Sequence, residues 1–100
     1  MSEREEHHAL TVRRGEKFKI ELESNPSTGY RWHLVFFNNS ILKLISSEFV
    51  SKIANQIGST GIQRFNFEAT KQGTTSIKII YKRPWEREAM KSNEFFVNVI

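Results

Sequence analysis

The stretch Lys17-Phe18-Lys19-Ile20-Glu21-Leu22-Glu23 decides the fold. Apolar Phe18, Ile20 and Leu22 alternate strictly with charged residues, and a β-strand is the conformation that sends successive side chains to opposite faces. One face of this segment meets a core and the other meets water. Outward along the chain the same period recurs. Gln63–Ala69 places Phe65, Phe67 and Ala69 together, and Thr74–Lys82 places Ile77, Ile79 and Tyr81 inward, with Ile80 leaving its outer face partly apolar. Glu94–Ile100 groups Phe95, Val97 and Val99, while Leu10–Arg13 and Arg31–Phe36 are shorter strands, the latter with Trp32, Leu34 and Phe36 on one side. Ile41–Ile45 reads as a buried strand. Phe49–Ile57 fits two periods, since Phe49, Ile53 and Ile57 also recur at helical spacing; β-branched Val50 and Ile53 tilt it to strand.

Turn chemistry separates these runs: R-R-G-E, N-P-S-T-G, F-N-N-S, G-S-T-G, K-Q-G-T and R-P-W. Short strands separated by turns at spacings near ten residues predict an all-β fold, an immunoglobulin-like antiparallel β-sandwich of seven to eight strands. It lacks the Cys…Trp…Cys signature of true immunoglobulin domains. One hundred residues make one domain, expected over residues 10–100 behind a polar tail at 1–9.

Composition narrows the function. Cys is absent, which removes disulfide staples, thiolate zinc sites and a thiol nucleophile. Asp is absent too, all eleven acidic residues being Glu, so the usual catalytic sets are hard to assemble. His33 has no Asp to orient it, and Ser27 with His33 lacks a third member. His7-His8 alone makes no metal site. The chain reads as no enzyme, with no cofactor and no metal. Its net charge of +4 comes from 15 basic and 11 acidic residues interspersed, which does not indicate nucleic acid. Lys82, Arg83, Arg87 and Lys91 form a basic group, but Glu86 and Glu88 interrupt it. Met1–His8 has no apolar core and no later run could span a bilayer, so no membrane association and a cytoplasmic location are expected of the chain as given; a mature exported form is compatible with the same sequence. A monomer when free is expected.

Three connections carry more than a turn needs. In Asn25-Pro26-Ser27-Thr28-Gly29-Tyr30, Asn25 can bond to nearby backbone, Pro26 fixes φ and Gly29 permits positive φ, which leaves small hydroxyls on a stiff tip. A stiff loop loses little entropy on entering a groove. A plain β-turn opening the next strand is the competing reading. Gly58-Ser59-Thr60-Gly61 has no following Lys or helix, so it is no phosphate cradle; it offers bare backbone for edgewise pairing, or is simply a hairpin tip. Arg83-Pro84-Trp85 puts a Trp among charges after a Pro that ends the ladder, which points to exposure, and Trp and Arg are common anchors of interfaces. The alternative is a Trp folded over the end of the sandwich. Every second connection of an antiparallel sandwich lies at one end, so the three cluster. The clustering rests on an odd number of strand passes between Tyr30 and Gly58, a count that Phe49–Ile57 decides.

Together the three loops resemble one family, the chagasin-like inhibitors of papain-type cysteine peptidases, from about the second strand to the C-terminus. The family's pattern is N-P-T-T-G-Y/F, then G-x-G-G, then R-P-W/F, on an immunoglobulin-like sandwich. It stands here as N-P-S-T-G-Y at Asn25–Tyr30, G-S-T-G at Gly58–Gly61 and R-P-W at Arg83–Trp85. Ser27 replaces a Thr, and Thr60 replaces a Gly and so adds a branched side chain to bare backbone. The resemblance implies reversible, competitive inhibition without a covalent step. Ser27 and Thr28 would enter the peptidase cleft, Gly58–Gly61 would pair by backbone on the non-primed side, and Arg83 with Trp85 would press on the primed side. A papain-like cysteine peptidase is the implied partner. The alternative is a general immunoglobulin-like binding domain that uses a sheet face or edge, for which Ile80 and Lys78 would matter more than Thr28.

Overall fold

The computed structural model describes residues 4–51 and 61–100. Among these residues seven strands, β1(Arg4–Val12), β2(Lys17–Ser24), β3(Arg31–Phe36), β4(Leu42–Ser51), β5(Gly61–Ala69), β6(Gly73–Lys82) and β7(Lys91–Val99), form two sheets in the orders β1-β7-β6-β3 and β2-β5-β4. This is the immunoglobulin-like sandwich. The alternating residues build its core: Ile20, Phe65, Phe67, Ala69, Ile77, Ile79, Tyr81, Phe95, Val97 and Val99 are all buried between the sheets, with Val12, Trp32 and Leu42.

Three local features depart from the alternation. The register slips between Leu34 and Phe36, where β3 pairs with β6, so the inward set ends at Leu34. Phe36, expected inward, is 52% exposed, and Phe37 turns in against Phe67 instead. A second slip, between Leu44 and Ser46, lets Ile45 face outward although Ile41–Ile45 was expected to be buried throughout. β4 then runs on as one strand through Phe49 to Ser51; the rest of Phe49–Ile57 lies outside the described residues.

The third departure is at the N-terminus. Residues 4–9, expected as tail, pair with β7, and they pair in parallel in an otherwise antiparallel fold. After β1 the Arg13–Glu16 turn carries the chain into the other sheet rather than back along its own, so no hairpin forms. Side-chain period could not announce this strand, because His7, His8 and Ala9 are all exposed. Backbone pairing holds it, helped by the His8 ring stacked 4.8 Å from Phe95.

Register aligns the ends. Ser24, Ser51 and Gly61 meet at one end of the smaller sheet, and Arg31, Lys82 and, one pair on, Lys91 meet at an end of the larger. Two strands, β3 and β4, separate Tyr30 from the segment before Gly61. That count is even rather than odd, and an even count is what returns a chain to the end it left. The loops after β2, β4 and β6 thus leave from the same end.

Candidate functional site

The loop after β2 folds as a single 3-10 turn, Pro26–Thr28, wired by its own side chains. Asn25 Oδ1 accepts from the Ser27 amide at 3.2 Å and from the Ser27 hydroxyl at 2.6 Å. The Thr28 hydroxyl donates to the Asn25 carbonyl at 2.8 Å and accepts from the Tyr30 amide at 3.3 Å. Both hydroxyls therefore spend their protons inside the loop. They fix the tip, and Ser27 and Thr28 remain exposed on it. Gly29 closes the turn at φ +85°, a left-handed value that a side chain disfavours.

Below the tip lies a ladder of rings and cations. Lys91 Nζ sits 5.0 Å over the Tyr81 ring; Trp32 packs against Tyr81 at 4.7 Å; Tyr30 stacks on Tyr81 at 5.2 Å; and Arg83 Cζ lies 4.5 Å over Tyr30. Arg83 Nε also donates to the Thr28 carbonyl at 3.2 Å, which ties the R-P-W loop to the N-P-S-T-G-Y tip. Its guanidinium reaches Glu86 as well, Nη1 to Oε2 at 4.0 Å, across the turn closed by Glu86 N–H to Arg83 C=O at 3.0 Å. Arg83 is thus a brace between loops, a role its sequence position did not announce. Trp85 stands beyond it, 72% exposed, with its ring edge over Gly29.

Of the expected site residues, Asn25–Tyr30 and Arg83–Trp85 come together at this end, joined through Arg83. Gly58, Ser59 and Thr60 lie outside the described residues, and Gly61 opens β5 between Ser24 and Ser51. A side chain at Gly61 would run into the Val50 carbonyl and the Phe49 ring, so only glycine fits that root. Two further residues reach the ring ladder: Lys91 lies over Trp32 and Tyr81, and Gln63, which no local motif marks, bonds the Trp32 backbone. Among the described residues no group of His or Glu could hold a metal.

The opposite face of the smaller sheet is taken up by its own charges. Arg64 Nε donates to Glu21 at 2.8 Å and Nη1 pairs with Glu48 at 3.6 Å, while Lys19 reaches Glu21 at 3.9 Å. The Glu21 bond raises the pKa of the Arg64 guanidinium. Such an interlocked, screened surface is a solvated face.

The molecule is thus a small two-sheet sandwich that carries two cross-braced loops and an exposed Trp at one end. The sequence profile of the chagasin family peptidase inhibitors (I42) matches residues 11–99. Amoebiasin-2 of Entamoeba histolytica is 32% identical over 88 residues, 87% of this chain and 72% of that one; chagasin of Trypanosoma cruzi is 28% identical over 92 residues, 88% and 84%. The crystal structure of the cysteine protease inhibitor EhICP2 from Entamoeba histolytica superposes with a TM-score of 0.80 at 27% identity, covering 97% of this chain and 95% of that one. The chain belongs to the chagasin family of peptidase inhibitors. It is an inhibitor, not an enzyme.

The Gly29–Trp85 contact gives a first expectation. A Cβ at Gly29 would lie 3.1 Å from Trp85 Cη2 on a left-handed backbone. Gly29→Ala is expected to cost about 1–2 kcal/mol and lower the thermal midpoint by ~4–8 °C per kcal/mol, with a shift in Trp85 fluorescence. An unshifted melt and spectrum would mean that the turn relaxes without strain.

Proposed function

We propose that this chain inhibits papain-like cysteine peptidases by reversible, competitive occlusion of the active-site cleft. Ser27 and Thr28 form the plug, Trp85 anchors on one wall, and the G-S-T-G loop pairs with the other by backbone. The observation that carries this reading is the Arg83 brace: its bond to the Thr28 carbonyl and its stacking on Tyr30 hold tip and anchor in one fixed relation before any partner arrives. Preorganisation of this kind lowers the ordering cost of association. An interface of the usual protease–inhibitor size buries about 1,600 Å² in total, within reach of loops from one end of a small sandwich. Ser27, where the family has Thr, keeps the hydroxyl that the Asn25 bond requires. The plug has no part to play as a nucleophile, since both hydroxyls are committed within the turn.

Titrating papain and a cathepsin-L-like enzyme with the protein tests the proposal. Stoichiometric loss of activity is expected, reversed on dilution and competitive with substrate. Full activity of both enzymes at micromolar inhibitor would overturn it.

A further inference from the structure

The bonds at Trp32 single out a residue that no motif marks. The Trp32 amide donates to Gln63 Oε1 at 3.0 Å, and Gln63 Nε2 donates back to the Trp32 carbonyl at 2.7 Å. One side-chain amide thus satisfies both backbone groups of one residue, as a neighbouring strand would. Among the described residues no strand is there, β3 being the outer strand of its sheet. Gln63 belongs to the other sheet, where it stands opposite Leu22 on β2 and Phe49 on β4. The amide therefore stitches the two sheets together at the loop-bearing end. The Trp32 indole adds a third bond, to the Glu23 carbonyl of β2 at 2.9 Å.

The chain positions of the two partners give the stitch its consequence. Trp32 follows Tyr30, the last residue of N-P-S-T-G-Y, and Gln63 follows Gly61, the last of G-S-T-G, by the same two steps. Two strand residues span about 7 Å, so the bonded pair lies directly beneath both loop roots. We propose that Gln63 is a positioning residue for inhibition: its amide sets the spacing between the two loop roots, Tyr30 and Gly61, without itself entering the peptidase cleft. The proposal rests on the inhibitor reading above. Gln63 also lines a cleft of about 300 Å³ with Ser24, Arg31 and Phe49. Its removal should loosen the loops while leaving the sandwich standing.

The test compares wild type, Gln63→Leu and Gln63→Glu against papain, with thermal melts of each. Gln63→Leu is expected to raise the inhibition constant at least tenfold while the protein, with a lowered melt, stays folded at the assay temperature. Gln63→Glu is expected to match that loss at pH 7.5, where a carboxylate accepts from the Trp32 amide but has no proton for its carbonyl. An unperturbed Glu carboxyl titrates near ~4.3, and the facing carbonyl raises this. Acidification to pH 4.5 should therefore restore the donor and bring Gln63→Glu back towards wild type. Protonation would restore a purely structural bond as well, so the melt is followed at both pH values. A positioning role shows the reversal in the inhibition constant of protein that is folded throughout. Independently of any peptidase, the Trp32 amide should exchange its hydrogen at least tenfold faster in Gln63→Leu, with the Phe67 and Ile79 amides unchanged. A Gln63→Leu protein as potent as a potent wild type, or a Gln63→Glu deficit independent of pH, would overturn the positioning role alone. A wild type that leaves papain active would overturn the inhibitor reading, and unaltered Trp32 exchange would overturn the stitch itself.

Discussion

Trp85→Ala weakens inhibition of a papain-like peptidase by about 2–4 kcal/mol, roughly 30- to 1000-fold in the inhibition constant, while the domain stays folded. The expectation comes from an imbalance at this residue. Trp85 is the most exposed of the large apolar side chains described, at 72%, so it adds little to the core. Burying a Trp is worth more than burying most other side chains, and here that gain is withheld until a partner covers the ring. The ring is nevertheless not loose. It lies against Gly29 and near the Arg83 guanidinium, 6.0 Å from Cζ, so it begins close to its bound position. Tight-binding titration gives the inhibition constant and a thermal melt gives the fold. An unchanged constant would remove the R-P-W loop from the interface. A parallel fall in stability would mean that Trp85 holds the end of the sandwich together.

Much of this arrangement is legible in the sequence because it is local. Alternation in Lys17–Glu23, Gln63–Ala69 and Thr74–Lys82 depends only on neighbours in the chain, and the sandwich core follows from it. The stiffness of N-P-S-T-G is local as well, since Asn25 bonds two residues ahead. What escaped has its cause elsewhere in the molecule. Phe36 and Phe37 exchange roles because β3 slips against β6, and a bulge has no signature in the strand that carries it. β1 is held by a parallel partner almost ninety residues away, not by a buried face of its own. Arg83 reads as an interface residue in sequence, and its additional bond to Thr28 has no local signal because it spans 55 residues. Gln63, 31 residues from Trp32, reads as an ordinary polar position on a strand. The sequence motifs thus mark the loops at one end, while the Trp32–Gln63 pair that underlies their roots lies in the sheets behind them.

That division predicts the effect of a substitution in the core. Phe67 is fully buried at the centre of the smaller sheet, between Phe18 on β2 and Leu44 on β4. Its ring stacks on Phe18 at 5.5 Å and receives Phe37 edge-on at 5.5 Å. Phe67→Ala removes this packing and leaves a cavity, at a cost of about 3–5 kcal/mol, against a total stability of about 5–15 kcal/mol for such a domain. The denaturant midpoint should fall steeply and the melt should shift by ~4–8 °C per kcal/mol. Yet Phe67 lies six residues along β5 from Gly61, about 20 Å from the loops. Molecules that remain folded should inhibit with the wild-type constant, and the loss should appear as a smaller active fraction on titration, growing with temperature. Trp85→Ala should show the reverse, a full active fraction with a weakened constant. If Phe67→Ala instead raises the inhibition constant of the folded fraction in step with its loss of stability, the loop geometry depends on the whole core, and the Trp32–Gln63 and Arg83–Thr28 bonds are not sufficient to hold it.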